Sequence, residues 1–489
     1  MQDRGLSADA HAAARGSVAL MVVQSMGRAL GLLFVVVATR ELVPAAYGRY
    51  ATVAAFAVLG GLVADFGTST VIVRRGSRRS EPVGPLLHGT LLASFGLGLA
   101  AFALSLLVAV VMPFPAETRG DLLVGGWALP FGAVASSLFG ALDGHGLIAR
   151  RSLGTMLQVA TLAIGGVAAL LLGFGVRGAL VALAAAPVVG GVVAAVQCRR
   201  AGLWNLRVGI DVERSLNLLR ESVPFGLLAG ISALALRFDV LLVTAVAGEV
   251  DTARYELAVR LIEALSYLAV VVSVPSLFIL SRRLGSGDLA GAQRAYDEAA
   301  RLVLVLGLGV SALLVALSEP LATLLFGSAY AGVGPPLAIL GAQLFLAFLV
   351  AVQGAAILSG DKVTSALPIA AGITSVTIIL DLAVVWKYGA IGAAAATAAG
   401  QVVAVAVFAV YIRRTIGLHT HLPPAGALAA AVTGGAAAWV LRDLGVVVAA
   451  GSGVTAYALV LMATRTVRRS DLRRLAGALS RRPVNDAGR

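Results

Sequence analysis

The chain has 489 residues, 59% of them hydrophobic and 13% charged, with a formal net charge of +13 and a mean hydropathy of +0.93. A soluble domain carries about 25% charged residues, so an ordinary soluble globular protein is excluded. The positive charge does not imply a nucleic-acid partner: the arginines sit at the ends of apolar runs and form no basic patch in a separate domain, a pattern that reports orientation and contact with anionic lipid headgroups.

Residues 1–16 are polar and short. The apolar run after them is too long for a signal-peptide core and is expected to stay as the first helix. Runs of about 20 residues, each able to cross about 30 Å of hydrocarbon as a helix, then recur. Fourteen spans are predicted near 17–38, 50–72, 86–112, 122–142, 152–173, 177–197, 224–247, 255–280, 302–325, 335–358, 366–386, 389–411, 425–441 and 445–463. Closely spaced pairs are joined by glycine-rich turns, because glycine is permissive in backbone angle and weak in a helix interior.

The connections alternate in charge. Arg74, Arg75, Arg78 and Arg79 follow the second span, Arg150-Arg151 the fourth, and Arg199, Arg200, Arg207, Arg214 and Arg220 the sixth. Arg282, Arg283 and Arg294 follow the eighth, Arg413-Arg414 the twelfth, and seven arginines from Arg465 to Arg482 lie in the tail. The positive-inside bias then makes both termini cytoplasmic. The stretch 284–301 reads as a short amphipathic surface helix.

The chain also repeats itself. Gly175–Arg200 (GVRGALVALAAAPVVGGVVAAVQCRR) aligns without a gap on Gly389–Arg414 (GAIGAAAATAAGQVVAVAVFAVYIRR), matching Gly175 with Gly389, Gly178 with Gly392 and the two double arginines. Gly140-Ala141 and Gly354-Ala355 keep the same offset of 214, while Tyr47 with Tyr255 and Arg74-Arg75 with Arg282-Arg283 are 208 apart. Alanine matches alone carry little weight; glycines and double arginines in register carry the repeat. The expected layout is a cytoplasmic segment 1–16, a first six-helix bundle 17–200, a cytoplasmic linker 201–223, a second six-helix bundle 224–414, two extra helices within 425–463 and a basic tail 464–489. Two parallel copies related by an axis along the membrane normal, enclosing a central cavity, are a transporter architecture.

Ionisable residues inside spans are costly and are functional candidates by default. Arg28 stands mid-span in the first helix, bracketed by Gly27 and Gly31 at a spacing that allows close helix approach. Arg237 holds a roughly equivalent place in the second bundle, two residues from Asp239. A cation from each half suits a phosphate-bearing substrate; the alternative is an internal salt bridge, such as Arg237 with a carboxylate of a neighbouring helix. Arg260 and Glu263 share a face and can pair. Asp65, Asp239 and Asp381 are candidates for coupling to a proton or Na⁺, with helix-end capping or partnership with a buried arginine as the other reading of Asp65 and Asp381. Gln24, Gln158, Gln353 and Gln401 can bond sugar hydroxyls or simply join helices.

The absences also guide the reading. No P-loop sequence occurs, and His419 with His421 supplies too few ligands for a zinc site, so no cofactor is expected. The single Cys198 allows no intrachain disulfide. The expected outer connections are short, at roughly 2–12 residues, where a membrane enzyme of glycan assembly needs a sizeable extramembrane site; no enzyme activity is expected.

The chain resembles the bacterial polysaccharide-biosynthesis flippases, the O-antigen or exopolysaccharide translocases of the multidrug/oligosaccharidyl-lipid/polysaccharide exporter superfamily. The segments that carry the resemblance are Arg40–Phe56, Leu62–Arg75, Val274–Tyr296, Leu321–Leu340 and Lys387–Gln401. The resemblance implies an inner-membrane protein that moves an undecaprenyl-pyrophosphate-linked oligosaccharide to the outer leaflet. Its implied partners are that lipid-linked oligosaccharide, membrane lipids, and a polysaccharide polymerase or glycosyltransferase. An ion-coupled exporter of small cationic compounds is the second transporter reading.

Overall fold

The computed structural model describes Val23 and residues 26–78, 83–204, 212–360, 363–421 and 424–466. Every regular element among them is helical. In chain order these are α1 (26–41), α2 (Pro44–Asp65), α3 (Thr68–Arg78), α4 (Val83–Val111), α5 (Ala116–Gly125), α6 (Ala128–Gly144), α7 (Ile148–Ala160), α8 (Gly166–Leu171) and α9 (Gly175–Arg200). Then come α10 (Val212–Gly285), α11 (Leu289–Phe326), α12 (Gly334–Ala342), α13 (Leu344–Leu358), α14 (Leu367–Thr415), α15 (Ala425–Val440) and α16 (Val446–Ala463).

Nine helices among the described residues are long and apolar enough to cross a membrane, or ten if the pair α12–α13, bent by 42°, forms one span. Two of the nine run for 49 and 48 residues, about 70 Å at 1.5 Å per residue, more than twice a hydrocarbon core. Each breaks once, α10 at Gly248 (φ 84°) and α14 at Gly389 (φ 52°), and each therefore accommodates two of the predicted spans. The protein is an all-α, multi-pass membrane protein.

Two expectations are corrected by the structure. The predicted span 50–72 is two helices, because Phe66 (φ 40°) and Gly67 (φ 74°) turn the chain. Thr68 donates to the Asp65 carbonyl at 2.7 Å and Ser69 to the Asp65 carboxylate at 2.8 Å, local bonds that compete with the helical ladder. The span near 122–142 falls within one membrane-length helical stretch, Ala116–Gly144, made of α5 and α6 with a short turn at Gly126-Trp127. The stretch 284–301 is no separate surface helix: from Leu289 it continues into the span as α11. Buried Ala292, Tyr296, Ala299, Ala300 and Val303 carry one helical face across the join, and the Tyr296 hydroxyl meets that of Thr420 at 2.7 Å. Asp288 caps the start of α11. The Gly291 N–H, donated at 2.8 Å, and then Arg283 hold its carboxyl below the ordinary carboxylate range.

The repeat has a geometric counterpart. Gly175 (φ 59°) and Gly389 (φ 52°) both occupy the left-handed region at the start of a helical arm, where a side chain is disfavoured. Matched Gly178 and Gly392 both lie against the residue four positions earlier: an added Cβ would stand 2.6 Å from Phe174 Cβ and 3.2 Å from Tyr388 Cβ, respectively. Tyr47 and Tyr255 are both fully buried. Gly140 and Gly354 are not equivalent, since a Cβ would meet the Ser69 carbonyl at 2.9 Å in the first and nothing within 4 Å in the second.

The chain forms two compact units. The first runs to Arg260 and adds Leu325–Tyr330 and Thr374–Ala396; the second holds Leu261–Leu324, Ala331–Ile373 and the chain from Thr397 onward. One core of the first unit joins Ile72, Leu87, Leu142 and Leu218 around Cys198, whose thiol is buried and points to the Leu138 carbonyl at 3.7 Å. In the second unit α15 packs on α16 through small residues, with Gly434 close against the Gly453 carbonyl, the packing that brings helix backbones together in lipid.

Candidate functional site

The break at Gly248 folds α10 so that residues near 237–240 meet residues near 255–260. Arg237 and Glu256 are 7% and 2% exposed, and Arg237 donates to Glu256 Oε2 at 3.0 Å. The other carboxylate oxygen, Oε1, takes Arg260 at 2.8 Å. Glu256 thus holds two guanidinium groups, sharing Oε1 between Arg260 and a longer 3.4 Å contact from Arg237. Asp239 accepts from the Tyr255 hydroxyl and, at 2.8 Å, from the Val240 N–H. Asp381, 2% exposed, lies within electrostatic reach of Asp239, and its Oδ1 is buried without a hydrogen-bond partner. The cluster therefore sets two cations against three carboxylates. An uncompensated charge in apolar surroundings is expensive.

A second charged group lies in the same unit. Arg49, on α2, bonds Glu117 and, at 2.9 Å, Asp121 of α5, and stands 3.7 Å from Glu249 beside the Gly248 break. Arg177 comes to 3.8 Å from Asp121. The backbones approach closely here: a Cβ on Gly48 would lie 1.9 Å from the Glu249 carbonyl oxygen. A pocket of about 580 Å³ opens beside Arg49, Asp121 and Arg177.

Two further cavities differ in character. In the first unit α3, α6 and α7 line a half-open pocket of about 240 Å³ beside the ion pair of Asp143 and Arg151. In the second, α11, α15 and α16 line an apolar groove of about 770 Å³ with Asp297, Glu298 and Arg301 at one end.

Among the predicted site residues, Arg237, Asp239 and Asp381 come together. Arg28 is exposed on α1, where Gly27 approaches α7 (an added Cβ would be 3.2 Å from Val159 Cγ1) and Gly31 has nothing within 4 Å. Asp65 serves the α2–α3 turn described above. Gln158 lines the small cavity of the first unit. Gln353 is fully buried and donates to the Val405 carbonyl at 3.1 Å, joining α13 to α14. Gln24 lies outside the described residues. The sequence reading passed over Glu256, although it stands four residues before Arg260 in one helix, the favourable order for such a pair. It also passed over the partners of Arg49 and Arg151, which have no such local signal.

This all-helical, multi-pass fold has counterparts among solved structures. The structure is similar to the lipid II flippase MurJ in its inward closed conformation (TM-score 0.73, 15% identity, covering 92% of this chain and 99% of that one). It is also similar to an inward-facing multidrug resistance MATE family transporter of the MOP superfamily (TM-score 0.58, 18% identity, 81% and 98% covered) and to the eukaryotic MATE transporter AtDTX14 (TM-score 0.57, 15% identity, 85% and 97% covered). At these identities the likeness concerns the fold. No curated protein matches the chain in sequence. The chain belongs to the polysaccharide biosynthesis protein family, whose sequence profile matches residues 13–278.

Proposed function

We propose that the chain moves a polyprenyl-pyrophosphate-linked oligosaccharide from the inner to the outer leaflet of a bacterial cytoplasmic membrane, both termini being cytoplasmic, by alternating access. Membership of a polysaccharide-biosynthesis family on a flippase and transporter fold carries this reading. The sugar headgroup cannot cross hydrocarbon unaided, because its polar groups would lose water without compensation; a hydrated, partly cationic path lowers that barrier. The exposed Arg28 is assigned the pyrophosphate, through charge-assisted hydrogen bonds. Arg237 joins it when Glu256, which holds two arginines, keeps Arg260 and releases Arg237. The polyprenyl tail stays in lipid. Asp239 and Asp381 supply coupling to a proton or Na⁺, and membrane lipids and a polymerase or glycosyltransferase are the partners.

The test is a strain lacking the chain. Completed lipid-linked oligosaccharide is expected to build up while surface glycan falls. Complementation with Arg28→Ala is expected to leave folded protein in the membrane with headgroup binding weakened roughly tenfold to a hundredfold; full surface glycan in that strain would remove Arg28 from the mechanism.

The paired carboxylates also favour a second reading, an ion-coupled antiporter that exports small cationic compounds. It predicts unchanged glycan and raised sensitivity to cationic dyes in the same strain. A membrane enzyme of glycan assembly would instead turn over substrate in detergent without a bilayer.

A further inference from the structure

The apolar groove of the second unit is built by helical periodicity. On α11, Glu298, Leu302, Leu306, Gly309 and Leu313 line it, at the three- and four-residue spacing that keeps side chains on one helix face. On α16, Val454, Tyr457, Ala458 and Leu461 do the same. The two helices approach closely along it: a Cβ added to Gly309 would stand 3.0 Å from Tyr457 Cε1, and one added to Gly453 2.6 Å from Leu313 Cδ2. The Tyr457 hydroxyl donates to the Val305 carbonyl, so the one hydroxyl among the lining side chains is already bonded. Leu306, Val454 and Met462 stay exposed, and the groove therefore opens toward lipid.

One end of the groove is polar. Arg301 lies three residues after Glu298 and four after Asp297, so the three share a face. Arg301 is exposed, and its Nη2 donates to the Thr466 carbonyl, which holds the guanidinium beside the end of α16. Asp297 Oδ1 accepts from Gln293 at 2.8 Å and meets His421 Nδ1 at 2.9 Å. Glu298 is exposed. Arg282, Arg283 and Arg294 precede this end, which by the positive-inside bias is cytoplasmic. From Leu302 to Leu313 the apolar lining rises about 17 Å at 1.5 Å per residue, close to half of a hydrocarbon core of about 30 Å. The groove is thus one leaflet deep and carries both signs of charge at headgroup level.

We propose that this groove holds a resident phosphatidylethanolamine of the inner leaflet, with an acyl chain along the apolar lining, its phosphate on Arg301 and its ammonium on Glu298. Charge complementarity selects the headgroup. A phosphate takes charge-assisted hydrogen bonds from a guanidinium, and a primary ammonium has three N–H donors for a carboxylate, whereas a quaternary ammonium has none. A phosphatidylglycerol brings negative charge without a cation and would face two carboxylates against one guanidinium. The same repulsion disfavours a polyprenyl pyrophosphate here. The resident lipid is independent of which solute the chain transports.

The experiment is native mass spectrometry of the full-length protein in detergent, with phosphatidylethanolamine and phosphatidylglycerol of matched acyl chains as competing probes. The wild type is expected to retain phosphatidylethanolamine over phosphatidylglycerol by about two- to fivefold, the range of a solvent-exposed ion pair. Glu298→Lys, at an exposed position away from the apolar lining, should reverse that preference. Ala458→Trp places an indole in the groove from an exposed position and should lower retention of both lipids. Any one of three results overturns the site: no preference for phosphatidylethanolamine in the wild type, an unchanged preference in Glu298→Lys, or unchanged retention in Ala458→Trp. Undecaprenyl phosphate added at equal concentration is expected to leave the bound phosphatidylethanolamine in place. Its displacement would give the groove to a polyprenyl chain and overturn the proposal as well.

Discussion

Glu256→Ala is expected to destabilise the protein more than replacement of either arginine that Glu256 holds. Breaking a buried ion pair by removing one partner typically costs about 3–5 kcal/mol, because the other charge stays buried. Loss of Glu256 takes from Arg237, which is 7% exposed, a carboxylate partner at 3.0 Å. Asp239 is near enough to attract Arg237, but its oxygens already accept from Tyr255 and Val240. Arg237→Met is the milder change, since Glu256 Oε1 keeps Arg260 at 2.8 Å. The double variant Arg237→Met with Glu256→Leu should recover much of the loss, as apolar replacement of a buried pair is often neutral or stabilising. Thermal unfolding in detergent gives the ranking. Equal unfolding temperatures for wild type and Glu256→Ala would show that the pair contributes nothing to stability. The double variant also separates roles: folded protein without transport places the pair in the mechanism, whereas normal transport makes it scaffold.

This cluster marks how far the sequence is legible. Span positions follow from hydropathy alone, since a bilayer demands about 20 apolar residues wherever it is crossed as a helix. The glycines matched between the repeats follow too, because a left-handed turn leaves few alternatives to glycine, as at Gly175 and Gly389. Arg237, Asp239 and Asp381 were legible as costly intramembrane charges. Their pairing was legible only as an alternative, because Arg237 meets Glu256 through the fold of α10 at Gly248, and that fold sets which face of one arm meets the other. Arg49 and Asp121 are 72 residues apart and Arg49 and Glu249 are 200 apart; no periodicity links such partners. Arg151 was read as an orientation marker and it is also half of an ion pair with Asp143. A cation at a helix start answers to headgroups and to a neighbouring carboxylate alike, and only the packing of α6 on α7 separates the two roles. The helix break after Asp65 was missed for a local reason. Hydropathy averages over a window, whereas the turn after Asp65 is set by two hydroxyls in four residues.

Asp381→Asn is expected to raise the unfolding temperature and abolish ion coupling together, a combination that an ordinary structural carboxylate would not produce. Asp381 is 2% exposed and its Oδ1 has no hydrogen-bond partner, so the amide forfeits no bond at that atom. The substitution nearly conserves volume and removes a charge facing Asp239. Like charges in apolar surroundings repel, and entry of a proton or cation relieves that repulsion. Intramembrane carboxylates of this kind are candidates for uptake and release of that ion. In proteoliposomes, wild-type transport should respond to an imposed pH or Na⁺ gradient and Asp381→Asn should not, whichever of the two ions is used. Asp239→Asn is the useful contrast. Asp239 accepts from Tyr255 and Val240, so its loss should cost stability while also weakening coupling. A fall in unfolding temperature for Asp381→Asn would mean that this carboxylate is held by a structural partner, and a gradient response equal to that of the wild type would move coupling away from this pair.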